Sequence, residues 1–396
     1  TSSNRDVDNR YLGGVGYYVD TDESNPMNTL WDDYYNIPKD GALATWFENS
    51  SKAVDRGGFT SVTSNSGQGA IAVSNMLLAE GSAGAVSAMI MRMVLTEGMD
   101  KYEDLFDQTL AEDLRKIIDN PSKTKKDVLA DQEKYPGLAS DVDEENAVYL
   151  ASVGLMTSSM TEPQLHGIYK EVRDRSNGAI AYIALNANML PMFQRDGSLF
   201  SSLAYLNSYA LDSNGAVPKY FQHSYVLDYT DAMFESFIWK AMIGINNETG
   251  INFNAAMSLI YSNGSVAASP GLGLSGFEVD YWQVKYNPDA NATLSDGGWV
   301  YMNGYEAVDK QKKEGGLINY FSSMIVMKVS DNYVTETGTV TSGGAPVEGA
   351  KVAVFEKDPN GILTQRSTGF TDAYGNYQVL VPSDNNDYEF RVFVAA

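Results

Sequence analysis

The run Thr161-Glu-Pro-Gln-Leu-His-Gly-Ile-Tyr-Lys-Glu-Val-Arg-Asp-Arg-Ser-Asn-Gly-Ala-Ile-Ala-Tyr-Ile-Ala-Leu185 carries three structural signals in succession. Thr161 and Gln164 have the spacing of a capping box, in which a hydroxyl and an amide reciprocally satisfy the free N–H groups at a helix start. Leu165, Ile168, Tyr169 and Val172 then recur at i, i+3, i+4 and i+7, one apolar face of a helix, and Asn177-Gly178 closes it. The apolar run Ala179 to Leu185 follows with no polar alternation, as a strand covered on both faces requires. Helix, glycine turn and doubly buried strand predict a three-layer α/β core with a partly parallel sheet.

Working outward, Gly67 to Ala79 and Gly81 to Leu95 read as two helices rich in small residues, suited to close packing. Lys101 to Ile118 places Phe106, Leu110, Leu114 and Ile117 on one face, and Asn120-Pro121 ends that helix. Ser122 to Tyr135, with Lys123, Lys125, Lys126 and Lys134 among acids, reads as a solvated helix, with a local insertion near 119–140 as the other reading. Within the aromatic-rich stretch Tyr220 to Ile245, one helix face could carry Phe234, Phe237, Ile238 and Met242. Phe277 to Tyr286 and Gly316 to Val329 read as long strands, and Asn287 to Tyr305 as a hairpin-like loop.

After about Ser330 the pattern becomes purely strand-like, with turns at Gly343-Gly344 and Thr371-Asp-Ala-Tyr-Gly-Asn-Tyr377. The expected fold is therefore a mixed α/β (α+β) body over 1–330, followed by an antiparallel β-sandwich over 331–396. That terminal unit resembles the carboxypeptidase-regulatory, transthyretin-like modules of secreted and surface proteins.

The chain has 396 residues, enough for two or three domains at about 150 residues each. With 43% hydrophobic residues and 25 tyrosines, it is not a disordered chain. Its net charge of -23 repels phosphate backbones and anionic headgroups, which excludes nucleic acid and a bare membrane surface as partners. No apolar run approaches the ~18 residues of a spanning helix: Gly81 to Met91 stops at Arg92, and Gly178 to Phe193 contains Asn186, Asn188 and Pro191. The opening Thr1-Ser2-Ser3-Asn4, without Met, and the acceptor triplets at Asn49, Asn247, Asn263 and Asn291 fit an exported, extracellular or cell-surface glycoprotein carrying N-linked glycans.

The inventory for chemistry is thin. The absence of Cys removes disulfides and thiolates, and only His166 and His223 supply imidazole, so a Ser-His-Asp triad or His-based metal centre has little to draw on. His223, Ser224 and Asp228 are close in sequence, which says little about a spatial constellation, and Gly13-Gly14-Val15-Gly16 lacks the Lys-Ser/Thr ending of a phosphate loop. Asp141, Asp143 and Glu144 offer oxygens for a possible Ca²⁺, although without the calcium-loop spacing; the other reading is the acidic first turn of a helix. No other cofactor is expected.

Three further stretches appear in order: Gly41-Ala-Leu-Ala-Thr-Trp46-Phe47-Glu48-Asn49-Ser50 with Met76-Leu77-Leu78-Ala79-Glu80 after it, then Met160 to Arg173 with Ala179 to Leu185 and Met189-Leu-Pro-Met-Phe193, then Val379 to Pro382 with Tyr388 to Val394. Together they resemble the soluble C-terminal region of archaeal oligosaccharyltransferase catalytic subunits, in which a WWDYG motif follows a strand and helps hold the hydroxyl residue of an acceptor sequon. The resemblance implies that Trp46, Phe47 and Glu48 are degenerate, vestigial positions of that motif. It also implies that the family's metal-binding carboxylates and lipid-linked sugar site belong to a membrane portion that this sequence does not contain.

Taken together, these features lead to the expectation of a secreted, non-enzymatic archaeal surface protein that self-assembles into a filament, sheath or surface layer, a homo-oligomer or polymer. Tyr11, Tyr17 and Tyr18 would be the anchors of strand exchange between copies. A second reading is an oligosaccharyltransferase-like domain that binds Asn-x-Ser/Thr acceptor peptides. A third is a carbohydrate-binding or carbohydrate-cleaving protein, for which no spacing selects a carboxylate pair.

Overall fold

The computed structural model describes residues 31–64, 67–186, 189, 209–210, 217–223, 227–242, 271, 273–286, 321–357, 359 and 363–394. Tyr11, Tyr17, Tyr18, Asn247, Asn263, Asn291, Ser224 and the loop 287–305 lie outside them.

A helical turn over 31–34 leads to strand β1 (Ala42–Ala44) and helix α1 (Phe47–Asp55). Helices α2 (Ala70–Leu77), α3 (Gly81–Glu97), α4 (Gln108–Asp119), α5 (Pro121–Ala130), α6 (Glu144–Ser159) and α7 (Glu162–Arg175) follow, and then strand β2 (Ile180–Asn186). The capping box at Thr161 is present, with the Thr161 N–H donating to Gln164 Oε1 at 2.8 Å. Tyr169 ties α7 to β2 by donating its buried hydroxyl to the Ile180 carbonyl at 2.8 Å.

After β2 come the hairpin β3 (Phe221–His223) and β4 (Leu227–Tyr229), the short helices α8 (Asp231–Phe234) and α9 (Phe237–Met242), and strands β5 (Phe277–Tyr286) and β6 (Phe321–Val329). The body sheet has the order β1-β2-β6-β5, with β1 parallel to β2 and the other pairs antiparallel. Beyond β1, Leu43 N–H donates to the Thr60 carbonyl and Val62 N–H to the Leu43 carbonyl, both at 2.8 Å, so residues 60–62 run parallel to β1 at the edge.

Burial on both faces makes this the middle of three layers. Ile183, Leu185, Ile325, Met327 and Val329 join the core formed with α2, α3, α6 and α7. Leu43, Ala181, Tyr182, Ala184 and Val326 pack against Trp31, Tyr34, Ala53 and Phe59 on the other face. There Phe59 stacks edge-on to Tyr182, with ring centroids 5.2 Å apart.

Two helical expectations are corrected. Lys101 to Ile118 is not one helix: the chain makes 3₁₀ turns at Met99–Lys101 and Glu103–Leu105, and α4 starts only where Asp107 accepts from the Leu110 N–H at 3.0 Å. Phe234 and Met242 do not share a helix either. Gly81 N–H donates to the Glu235 carbonyl at 2.9 Å and Phe237 N–H to the Ala79 carbonyl at 2.8 Å, so pairing to a distant segment interrupts the helix at Ser236. The segment 119–140 is packed rather than merely solvated, since Thr124, Val128, Tyr135 and Leu138 are buried.

The C-terminal part is antiparallel. Strands β7 (Tyr333–Thr339), β8 (Thr341–Ser342), β9 (Ala345–Pro346), β10 (Lys351–Lys357), β11 (Leu363–Phe370), β12 (Asn376–Pro382) and β13 (Asp387–Phe393) form the sheets β11-β10-β13 and β12-β7 and the small pair β8-β9, with no closed barrel. Val352, Val354, Val379 and Val381 make the sandwich's own small core. It meets the body through the Arg173–Asp331 ion pair, the Thr161 hydroxyl donating to Gln378 Oε1 at 2.9 Å, and Gly273 N–H donating to the Gln365 carbonyl at 3.0 Å.

Asp143 is the N-cap of α6, accepting from the Glu145 N–H at 2.8 Å, with Glu144 and Glu145 in the first turn. Asp143→Ala is expected to cost about 1 kcal/mol of stability in urea melts, equally with EGTA and with millimolar Ca²⁺. A loss seen only with calcium present would support the calcium reading instead.

Candidate functional site

Three parallel segments, β1, residues 60–62 and β2, end at the same edge of the sheet, presenting Thr45-Trp46, Thr63-Ser64 and Asn186. Helices α1 and α2 both start from this edge. In open α/β sheets the carboxyl ends of parallel strands are where ligands bind, because the chain leaves each strand in a loop and the following helix points its N–H groups back.

The edge is built tightly. The Thr63 hydroxyl donates to the Thr45 carbonyl at 2.9 Å, tying the two strand ends together below the surface. The loop after Ser64 closes by Gly67 N–H to the Ser64 carbonyl at 2.9 Å and Ser64 N–H to the Gln68 carbonyl at 3.0 Å. Gly69, at φ +78°, then caps α2. Trp46 is the N-cap of α1, in an extended conformation at φ -73° and ψ 148°.

The motif positions therefore lie at the junction of β1 and α1, but they are not all at the surface. Trp46 is fully buried within the main core, so it forms a floor rather than an open wall. Phe47 and Glu48 are the first residues of α1. Asn49 retains 4% exposure and Ser50 2%, which removes Asn49 from the acceptor triplets that a folded chain leaves accessible. Asp141, Asp143 and Glu144 are exposed; Asp143 and Glu144 serve the start of α6, where Glu144 also accepts from the Ser122 hydroxyl. Among the described residues no three His, Asp or Glu side chains are brought together to hold a metal.

A second concavity opens between the helical layer and the sandwich, a cleft of about 840 Å³. Glu80, Ser82, Glu162, Tyr209, Lys219 and Lys240 line its body side. Glu162 accepts from the Ser82 hydroxyl, and burial pushes its carboxyl above the usual carboxylate range. His166, one turn on, stands 3.8 Å from Glu162 Oε1 and is held down to about 4, first by burial and then by the Arg173 charge. Lys240 is paired with Glu235, whereas burial lowers the Lys219 amine to about 8.

Neither Lys219 nor Glu162 is marked by spacing in the sequence, because the cleft gathers residues from stretches of chain as far apart as Asn75 and Gln378. The one local hint is Lys219 beside Tyr220 at the head of the aromatic-rich stretch. His223 lies in β3 and His166 in α7, and Ser224, the third member of the trio that is close in sequence, lies outside the described residues.

No helix among the described residues is long and apolar enough to cross a membrane. No family model and no curated protein matches the chain. Among solved structures it is similar to an oligosaccharyltransferase of Archaeoglobus fulgidus in complex with zinc and sulfate, at 10% identity and a TM-score of 0.38, over 94% of this chain and 42% of that one. It is also similar to the same protein tethered to an acceptor peptide containing the NVT sequon, at 11% identity, a TM-score of 0.38 and 38% of that chain. A third is the archaeal oligosaccharyltransferase AglB from A. fulgidus with an inhibitory peptide and a dolichol-phosphate, at 9% identity and a TM-score of 0.36. The chain thus spans about two-fifths of the length of these proteins, at 38–42% of each. None of them is a filament, sheath or surface-layer protein, and the expectation of a self-assembling structural protein is corrected on that finding. The structural neighbours of this chain, over 94% of its length, are archaeal oligosaccharyltransferases.

Proposed function

We propose that the chain is an oligosaccharyltransferase-like domain that binds Asn-x-Ser/Thr acceptor peptides at the β1–α1 edge. The observation that carries this reading is the position of the Trp46-Phe47-Glu48 stretch: it starts a helix at the carboxyl end of β1, beside two further parallel strand ends and the start of α2. That is the edge at which such a sheet takes ligands. An extended peptide would meet the N–H groups of two helix starts there, and the degenerate motif supplies one acid, Glu48, where the resembled motif has its Asp. The recognition of a small hydroxyl-bearing residue needs only a shallow polar recess above a rigid floor, and buried Trp46 provides such a floor.

The test is isothermal titration of the full chain with an Asn-Val-Thr peptide, an Asn-Val-Ala peptide and a Gln-Val-Thr peptide. The expected outcome is binding that weakens about tenfold, or about 1.4 kcal/mol, on loss of the Thr hydroxyl, and by a similar factor in Glu48→Ala. Trp46→Ala is not a fair probe, because truncating a buried Trp in this core costs about 3 to 5 kcal/mol of stability. Equal affinity for the Thr and Ala peptides, or no binding at millimolar peptide, would overturn the reading.

A further inference from the structure

The cleft between the helical layer and the sandwich holds an amine in an unusual setting. Lys219 lies in the turn 217–220, which is fixed by the Tyr220 N–H donating to the Val217 carbonyl at 2.9 Å and by the Thr230 hydroxyl bonded to the Lys219 carbonyl. Its Nζ donates to the Tyr209 hydroxyl, lies 3.9 Å from the centroid of that ring and 5.5 Å from that of Tyr220. Among the described residues Lys219 makes no ion pair. Half-buried at the cleft wall, Lys219 sets its ammonium against two phenol rings with no carboxylate bonded to it among the described residues, and a partly desolvated ammonium without such a partner costs folding free energy that a Met or Leu there would not.

The remaining charged groups on the cleft are Glu80, Lys134, Glu162, Glu235, Lys240 and Lys351. Glu80 is the acid whose field favours the charged amine, and its effect is smaller than that of burial. Burial holds Tyr209 above the ordinary phenol range, so it stays a neutral proton donor across the neutral pH window. At about 8, the amine itself is partly unprotonated there, which makes its lone pair available. The opposite wall presents Gln365, Thr368 and Gln378, and the body wall Ser82 and Thr161, groups that exchange hydrogen bonds with hydroxyls. A volume of about 840 Å³ is that of a small-molecule site rather than a surface crease.

We infer that Lys219 is the nucleophile of a carbonyl-condensing site in this cleft, with Tyr209 as its proton donor and a polyhydroxylated aldehyde or ketone, an open-chain sugar, as its ligand. The Lys219 lone pair forms the C–N bond as the carbonyl π pair moves to oxygen, which takes a proton from Tyr209 Oη; the phenolate recovers a proton from the new C–N⁺ centre. Loss of the carbinolamine hydroxyl as water, again protonated by Tyr209, leaves a protonated imine, whose N–H proton returns to the Tyr209 phenolate to give the imine. The balance is one amine and one carbonyl to one imine and one water, with no oxidant or reductant. The site is separate from the β1–α1 edge and does not depend on peptide binding there.

The experiment treats the full chain with D-erythrose, or with propionaldehyde as the aldehyde lacking hydroxyls, traps imines with cyanoborohydride, and maps adducts by peptide mass spectrometry between pH 6 and 10. The exposed Lys123 and Lys126 are internal references. At pH 7, Lys219 is expected to be modified at least about tenfold faster than either, with a rate midpoint near pH 8 and a preference for erythrose. Tyr209→Phe is expected to slow the Lys219 adduct about tenfold and leave Lys123 and Lys126 unchanged, in protein whose urea melt shows that the fold is intact. Labelling of Lys219 no faster than the references, or a rate unaltered in Tyr209→Phe, would overturn the assignment.

Discussion

Gly69→Ala is expected to lower the unfolding free energy by at least about 3 kcal/mol, whereas Gly67→Ala, two residues away, is expected to cost about 1 kcal/mol. Both glycines have positive φ, +85° at Gly67 and +78° at Gly69, a region that a Cβ disfavours by about 1 to 2 kcal/mol. Their surroundings differ. A Cβ at Gly67 would meet nothing within 4 Å, while at Gly69 it would stand 2.1 Å from the Val62 carbonyl oxygen and 3.0 Å from its carbon. Those are backbone atoms of the strand that donates from Val62 N–H to the Leu43 carbonyl, so they cannot swing aside as a side chain would. Relief requires α2 to move away from the carboxyl edge of the sheet. Gly69→Ala should therefore also weaken Asn-Val-Thr peptide binding in protein that remains folded. Urea melts of the two variants decide the point; equal losses would show that the cost is conformational alone and that the contact with Val62 is slack.

How much of this could be read beforehand follows from the range of the interactions. The capping box at Thr161 and Gln164 and the strand Phe277–Tyr286 are legible because their signals, a reciprocal cap and an apolar run, act within a few residues. The interruption at Ser236 is not, because it comes from backbone bonds to Ala79 and Gly81, which lie far away in sequence. Asn120-Pro121 is legible as the end of one helix with another read from Ser122; Pro121 itself occupies the first position of α5, where its missing N–H costs nothing. The same division holds for the sites. Trp46 could be located by order along the chain, since β1 and α1 flank it, yet its full burial depends on packing against α2 and α3. Lys219 and Tyr209 meet only through tertiary contact, and no periodicity announces them.

The joint between body and sandwich holds a buried imidazole, and that gives the second large effect. His166 is 10% exposed on its side chain, and its ring lies edge-on to Phe277 with centroids 5.8 Å apart. A Cβ on Gly276, at φ +73°, would reach within 2.0 Å of the ring, so the backbone closes directly over it. The charged groups that face it are Arg173, which disfavours the imidazolium, Asp331, which favours it, and Glu162 at 3.8 Å, whose carboxyl burial pushes above its ordinary value.

With a folded value of about 4 against the ordinary 6.5, the unfolded chain binds the proton more readily throughout that interval. Stability from His166 is therefore complete above about pH 6.5 and is lost as pH falls toward 4, by about 3 kcal/mol in all. Glu162 acts in the opposite sense, since a raised carboxyl binds its proton more tightly in the folded state, and it offsets part of the loss. Glu97, held down to about 2 although burial opposes this, by its bonds to Lys101, Ser176 and Tyr102, adds acid sensitivity only below its ordinary 4.5. His166→Gln has no proton to take up, so the difference in unfolding free energy between the native protein and the variant should shrink or reverse by about 3 kcal/mol from pH 7 to pH 4. Urea melts of both proteins across that range measure it. Parallel curves would mean that the ring is hydrated in solution and that the body and the sandwich do not close over it as tightly as Gly276 and Phe277 require.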